Sequence, residues 1–371
     1  MIVICIFNIP VYYNINQGKV NSFKEVKIMD QVGYFRWKLP PKSTMMIYSI
    51  TSYYYNLEMI FFDGNGVDME NELIHGFVLR ENKFIKITTQ IPKIINNTPY
   101  HRGNKILHKF LSEKSHFMFK GFGGKNKEYR HFKKEGTLKD ILIPSSRVKD
   151  MTHVVDFIDE NEKVILKPLY SDKGKGIFRI EKIAKEIYLI ENKDDKKTIY
   201  KNDFQDFYDQ YFSQEKLLIS KFIKSKTRSN HPFDIRINFE KDYRGEWKIA
   251  QQYARIGFND NVTSNLATGG GTAKLRSFLK TEFDVDERKK ISSQIKNISK
   301  QLPSVVEKMV DFEFNSIGLD IGIDKDDNNK IYMFEVNSYP GMSIGVGQVA
   351  LYRTGYMYYY LHNIINETPA Y

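Results

Sequence analysis

GLDIGIDKDDNNKIYMFEVNSYPG, residues 318–341, reads as two short strands either side of a polar turn. Side chains two apart on a strand share a face, so Glu335 and Asn337 converge. A hairpin centred near Asp327 and Asn328 sets Asp320 opposite Glu335, within cross-strand reach. Two carboxylates and an amide oxygen on one face make an all-oxygen set suited to a hard cation such as Mg²⁺. A calcium loop competes locally: Asp324, Asp326, Asn328 and Glu335 fall at its first, third, fifth and twelfth positions. Its sixth position is Asn329 instead of glycine, and its flanks read as strand and turn where that motif needs helices. Asp324, Asp326 and Asp327 are therefore assigned to the turn.

Upstream, KVILKPL (163–169) is an apolar strand carrying Lys167, followed by the glycine loop Ser171-Asp172-Lys173-Gly174-Lys175-Gly176. A strand lysine beside a loop rich in backbone N–H donors is a phosphate grip; the bland reading is a solvated hairpin. Lys125 follows Gly121-Phe122-Gly123-Gly124, but Asn126 stands where a Walker motif needs a hydroxyl, so that motif is rejected. In FDIRINF (233–239), Asp234 and Arg236 share a strand face, and Arg236 could clamp a phosphate or a carboxylate. ARIGFNDNVTSNLATGGG (254–271) carries Arg255 and Asn265 and is too polar and glycine-rich for core, as expected of an active-site loop.

The bulk numbers are those of a globular chain. Its 371 residues are 41% hydrophobic, 14% aromatic and 27% charged, enough for two or three structural units. A formal charge of +11 predicts anionic partners without choosing among nucleotide, acidic peptide, envelope material and nucleic acid. Cys5, the one cysteine, sits in the apolar run IVICIF and reads as a buried strand thiol. No basic segment precedes that run, Asn8 and Pro10 end it, and no later run reaches 18 apolar residues. Neither a signal peptide nor a transmembrane span is expected, and the expected compartment is the cytoplasm.

Residues 1–8 read as a first, central strand, and 45–62, 75–79 and 83–91 as further strands of an N-terminal unit. Residues 103–115, 148–160 and 202–212 have helical patterns, and 186–192 with 196–200 form a short hairpin. Residues 216–223 read as a strand, and 233–242 with 245–258 as two strands around a turn near Tyr243–Gly245. In 286–310, Ile291, Ile295, Ile298 and Leu302 mark a helix that Pro303 should interrupt. The glycine-bearing segment 341–365 is expected to hold a closing helix.

Five of these segments, in order between about Tyr100 and Gly341, resemble the ATP-grasp superfamily. They are FMFKGFGGKNKEY, VILKPLYSDKGKGIFRI, FDIRINF, the stretch from Gly245 to Gly270, and the opening hairpin. More closely they resemble its YheC/YheD branch, described as endospore coat-associated. The resemblance implies an α+β ATP-grasp fold, two α+β subdomains enclosing ATP, preceded by a smaller N-terminal α/β or mostly β domain. The implied division is an N-terminal domain over 1–99 and a linking region over 100–149. A small subdomain with the glycine lid then spans 150–223, and a large one with the metal site spans 224–371.

It further implies that Lys125 and Lys167 contact the ATP phosphates, that Ser171, Lys173, Gly174 and Gly176 belong to the lid, and that Lys221, Phe222 and Ile223 form an adenine hinge. Asp320, Glu335 and Asn337 would hold Mg²⁺, with Mn²⁺ the alternative ion. Arg236, Arg255 and Asn265 would surround the transferred phosphoryl group and its acceptor. The hinge reads Ser220-Lys221-Phe222-Ile223 where the superfamily often starts it with Glu or Gln, so only backbone recognition carries over. His101 and Arg102 match the start of the branch's common block without an assigned role.

The implied activity is a carboxylate–amine ligase working through an acylphosphate, on a small-molecule or peptide substrate, acidic if the net charge is a guide. The alternative is a catalytically silent ATP-grasp protein with a structural, coat-associated role. A nucleic-acid binder, suggested by the basic 120–139 region, is disfavoured because Phe122, Tyr129 and Phe132 form no recognised binding module.

Overall fold

The computed structural model describes residues 2–6, 9–13, 29–123, 125–168, 176–192, 195–212, 216–257, 270–342 and 345–365; the side chains of 2–6, 9–13, 125 and 126 are outside the description. Strand β1 (Ile2–Ile6) pairs antiparallel with β2 (Ile9–Tyr13) as a two-stranded sheet. The first apolar run is thus not a central strand of a large sheet. Its partner follows at once, Ile6 pairing with Ile9, and Cys5 lies opposite Pro10. The thiol itself is among the side chains not described.

Seven strands build the N-terminal sheet: β3 (Asp30–Phe35), β4 (Leu57–Phe62), β5 (Val67–Asp68), β6 (Leu73–Arg80), β7 (Lys83–Gln90), β8 (Ile94–Asn96) and β9 (His116–Phe117). Strands β4, β3, β8 and β9 lie side by side and parallel, while β6 and β7 form an antiparallel extension. Helix α1 (Lys42–Tyr54) crosses between β3 and β4, and α2 (Lys105–Lys114) between β8 and β9. The 45–62 stretch therefore divides into helix and strand. Its β-branched and hydroxyl residues suit a strand in isolation. In the fold Met45, Tyr48, Ser49 and Ser52 are buried at helical spacing. Thr51 and Ser52 return their hydroxyls to the Ile47 and Ser49 carbonyls at 3.0 and 2.9 Å, so the helix buries no orphaned hydroxyl at either position.

The middle sheet is antiparallel, in the order β10 (Ser145–Arg147), β15 (Leu217–Lys221), β11 (Lys163–Pro168), β12 (Phe178–Ala184), β13 (Ile187–Glu191) and β14 (Lys196–Tyr200). Between α2 and this sheet runs the basic helix α3 (Lys125–Glu135). Helices α4 (Met151–Asn161) and α5 (Phe204–Phe212) cover one face of the sheet, burying Val154, Ile158, Val164, Leu166, Phe178 and Phe207 together.

The C-terminal sheet has the order β18 (Gly271–Lys274), β17 (Trp247–Ile256), β16 (Phe233–Lys241), β19 (Ser316–Asp324) and β20 (Lys330–Asn337), all antiparallel. Phe233, Ile235, Ile237 and Phe239 alternate into a core with α6 (Leu275–Glu282) and α7 (Val285–Glu307). A capping box between Asp284 and Glu287 starts α7. Ile291, Ile295, Ile298 and Leu302 are fully buried, each contributing about 1.5–3 kcal/mol. Pro303 does not interrupt α7, which runs to Glu307. Val305 and Val306 are buried on the sheet beyond it, and their packing offsets the lost backbone bond. Helix α8 (Val346–Tyr359) closes the chain against α1, in a cluster with Val32, Tyr48, Met59 and Phe61.

Candidate active site between two sheets

The β19–β20 hairpin pairs Gly318 with Asn337 and Asp320 with Glu335. One residue further the register slips, so that Ile321 faces Met333 and Phe334 becomes the extra residue of a bulge. The Phe334 ring lies over Gly322, where an added Cβ would come within 2.2 Å of it. The bulge thus separates the Asp320–Glu335 rung from the turn that carries Asp326 and Asp327.

Alternation in β16 sends Asp234, Arg236, Asn238 and Glu240 to the face opposite its apolar core. Arg236 lies beside Asp320 in the register and grips it bidentately, Nε to Oδ1 and Nη2 to Oδ2, the latter at 2.7 Å. Arg255, on β17, donates Nη2 to the same Oδ2 at 2.8 Å and Nε to Asp234 Oδ1 at 2.6 Å. Burial works against the Arg255 charge, but Asp320 and Asp234 outweigh it and hold the guanidinium pKa above its ordinary value. Two acids and two guanidiniums cancel. Arg236, Arg255 and Asp320, expected at one site, are in direct contact.

That contact bears on the metal. An ionised carboxylate offers about four lone-pair positions, and the arginines take three of those on Asp320. One remains, and Glu335 is its cross-strand neighbour with Asn337 two residues along, so the donors present are the oxygen-only set that suits a hard divalent ion. Among the described residues no three His, Cys, Asp or Glu side chains converge, and the set depends on the Asn337 amide as its third donor.

A cavity of about 360 Å³ lies between the middle sheet and β20. Val164 and Leu166 point into the α4–α5 core, which turns Lys167 to the other face of β11 and into this cavity. Leu218 and Ser220 of β15 join it there, facing Met333, Glu335 and Val336 of β20. Lys167 and Glu335, about 170 residues apart in sequence, line one space with apolar walls.

The proposed hinge departs from expectation. The Lys221 N–H donates to Pro144 O and the Phe222 N–H to Lys163 O, both at 2.9 Å, so two of the three backbone donors are already committed. The Lys221 ammonium turns away from the cavity to Asp327 Oδ2 at 3.3 Å and lies over the Tyr332 ring. Strand alternation is the cause: Leu218 and Ser220 take the cavity side, and Lys221 takes the other. Ile223 is buried. Lys125 is the first residue of α3, its side chain outside the description. Ser171, Lys173, Gly174 and Asn265 lie outside the described residues. Gly176 has φ +68°, a left-handed conformation that favours glycine, and sits against Pro168.

Several polar residues at the site carried little or no sequence signal. Asn238 and Gln251 continue the Arg236 row; Asn238 Nδ2 donates to Gln251 Oε1 and to Gly341 O, both at 3.0 Å. The alternation of FDIRINFE already placed Asn238 beside Arg236. Arg353 of α8 reaches the same face fully buried, donating Nε and Nη2 to Glu240 Oε1 at 3.0 and 2.8 Å. Arg36 follows β3, donates to the Asn96 carbonyl and side-chain oxygens at 2.7 and 2.9 Å, and lies 4.0 Å over the Tyr34 ring and 5.6 Å from that of Tyr339. It stands between β3 and β8, where strand order reverses and α/β sheets open a binding crevice at their carboxyl ends.

Two antiparallel α+β units thus face each other across one cavity, with a strand lysine on one wall and a strand carboxylate on the other. The family model described as YheC/D like ATP-grasp matches residues 114–350, and the chain belongs to that family. It is similar to two Bacillus subtilis (strain 168) proteins. The endospore coat-associated protein YheD is 23% identical over 303 residues, covering 76% of this chain and 64% of the relative. YheC, of the same description, is 22% identical over 233 residues, covering 62% of each. The chain thus spans under two thirds of either relative. Among solved structures, N5-carboxyaminoimidazole synthetase from Staphylococcus aureus complexed with ADP aligns at TM-score 0.47 and 12% identity, covering 90% of this chain and 79% of that one. D-alanyl-alanine synthetase A from Vibrio cholerae aligns at 0.47 and 9%, covering 91% and 99%.

Proposed function

We propose that the chain is an ATP- and Mg²⁺-dependent ligase joining a carboxylate to an amine through an acylphosphate. The carrying observation is the cavity lined by Lys167 from one sheet and Glu335 from another, Glu335 sharing its rung with Asp320 of the Arg236–Arg255 network. Lys167, with Lys125, would hold the nucleotide's phosphates; Leu218, Met333 and Val336 supply apolar walls for the base. Base recognition would fall to the backbone around Ile223, since the Lys221 and Phe222 N–H groups are engaged. Residues 171–176 would form the lid that excludes water from the acylphosphate.

Asp320, Glu335 and Asn337 would hold Mg²⁺, with Mn²⁺ the alternative. A bound divalent ion supplies charge neutralisation at the phosphates. Arg236 and Arg255, prepositioned by Asp320 and Asp234, and Asn265 would stabilise charge on the transferred group. Arg36, in the β3–β8 crevice, would orient the carboxylate-bearing substrate. A chain of +11 suits an acidic small molecule or peptide. The relatives' descriptions support an association with the spore coat.

One observation favours the silent, structural reading: both oxygens of Asp320 are already bonded to arginines. The two readings separate on acceptor-dependent turnover. Purified protein with MgATP and pools of amino acids and peptides is assayed for ADP and, by intact mass, for condensed products. A ligase releases ADP only with a matching acid and amine and loses turnover in Lys167→Ala and Glu335→Gln. ATP binding with no acceptor-dependent ADP from any pool would establish the silent reading instead.

A further inference from the structure

A separate cavity of about 710 Å³ opens where the carboxyl end of α1, the β16–β17 turn and the carboxyl end of α8 meet. Its lining is aromatic: Tyr54 at the end of α1 and Tyr55 just after it, Tyr243 from the turn, Tyr358 of α8 and His362 just beyond it. Tyr55 is the hub. Its ring stacks on Tyr358 with centroids 5.9 Å apart, lies 6.1 Å from Tyr243, and meets Tyr54 edge-on at 5.0 Å. Gly355 makes room for it, since a Cβ there would stand 2.9 Å from the Tyr55 hydroxyl. A mid-helix glycine costs about 1 kcal/mol relative to alanine, and the Tyr55 phenol is the reason for this one. Tyr54 and Tyr243 nonetheless remain 59% and 41% exposed, so aromatic surface stays open to solvent.

The charge of the lining runs against that of the chain. Among the described residues, no lysine or arginine lines this cavity. Asp30 and His362 also line it and face each other at 3.4 Å, and Asn56 adds an amide. Beside the cavity, Asp242 approaches Tyr55 and is met by Lys248 at 3.7 Å. The Arg244 guanidinium lies 5.1 Å over the Tyr243 ring, a cation taken up by one of these tyrosines from within the chain. Tyrosine faces with a carboxylate at the rim are recognition elements for an organic cation.

We propose that this cavity binds an alkylammonium head, quaternary or protonated, over the Tyr55 and Tyr358 faces with Asp30 as its counter-ion. The proposal is independent of the ligase reading, because none of these residues belongs to the nucleotide cavity. Choline and its neutral carbon isostere, 3,3-dimethyl-1-butanol, are the probes. They are titrated into the full chain at constant ionic strength and followed by saturation-transfer NMR and calorimetry. Choline is expected to bind about tenfold more tightly than the isostere. Asp30→Asn and Tyr358→Ala should each weaken choline several-fold while leaving MgATP binding as in the parent protein. Gly355→Ala, which displaces Tyr55, should do the same. Asp30 is exposed, so its variant keeps the test valid even where Tyr358→Ala folds poorly. Equal affinity for choline and the isostere, no binding of either, or unchanged choline binding in Asp30→Asn would each overturn the assignment.

Discussion

Removing Arg353 should destabilise the protein far more than an average substitution. Its guanidinium is 1% exposed and donates twice to Glu240 Oε1, whose side chain is fully buried. It also lies 4.7 Å over the Phe119 ring and approaches Ser316 Oγ at 3.4 Å and Pro340 O at 3.5 Å. Arg353→Met fills most of the volume but leaves Glu240 with Ser316 Oγ, at 3.0 Å, as its one remaining partner among the described residues. Breaking a buried pair from one side costs about 3–5 kcal/mol, because the surviving charge stays desolvated. Glu240→Gln strands the arginine and should cost a similar amount. The double variant leaves no buried charge, so it should cost at least about 1–2 kcal/mol less than the two losses added together.

The pH dependence has a definite sign. Burial already raises the Glu240 pKa above its ordinary value, against the pull of Arg353, and without that arginine it rises further. Between the unfolded and folded pKa values the folded chain then holds the extra proton, so acidification favours it. The Arg353→Met deficit should be largest near pH 8 and shrink toward pH 5. Urea unfolding of the four proteins at both pH values reads these quantities. A single-variant loss under about 1 kcal/mol, strict additivity, or a deficit that grows on acidification would refute the reasoning.

Lys167→Ala should weaken ATP binding at least about tenfold by calorimetry, as expected for a charge-assisted phosphate contact; unchanged affinity removes the lysine from the nucleotide site. Glu335→Gln should keep metal-free nucleotide binding and lose the gain that Mg²⁺ brings, measured by titration with and without the ion. Gly318→Ala places a Cβ 2.7 Å from Pro340 Cβ, so the loop after Asn337 must shift; about 1–3 kcal/mol in urea is expected, and a neutral result would mean that loop yields freely. Burial, helped by Lys120, holds the His116 imidazole down at about 4. Its NMR signals should stay those of the neutral ring from pH 8 to 5. Stability should fall as pH drops from about 6.5 toward 4, where the unfolded chain takes up the proton first.

Much of the site was legible because strands write their faces with period two. FDIRINFE separates a core face from a polar face by inspection, and the Asp320–Glu335 rung follows from the centre of the turn. Five motif segments in order carried the fold. Other features needed the third dimension. Helix α1 is built of residues that favour strands locally, and its identity comes from packing on β4 and α8. Pro303 reads as a breaker until the valines beyond it are seen on the sheet. Lys221 is the converse case. The motif suggested a ligand contact, while alternation and two committed N–H groups turn it to Asp327. Arg36 and Arg353 left no trace, since a lone arginine in an aromatic segment resembles any surface cation until its partners are known.

The packing of α8 on α1 also sets an order of events in synthesis. Val32, Tyr34, Tyr48, Met59 and Phe61 share their apolar cluster with Ala350, Tyr356 and Met357. The first large sheet therefore emerges with that side covered only by α1, and α8 follows roughly 230 residues after β9. At about 5–20 residues per second that delay is on the order of 10–45 s. During that interval the aromatic face of the N-terminal unit is open to chaperones and to neighbouring nascent chains. A stall or truncation anywhere upstream of residue 346 would leave the part of that face that α8 covers exposed for as long as the product survives.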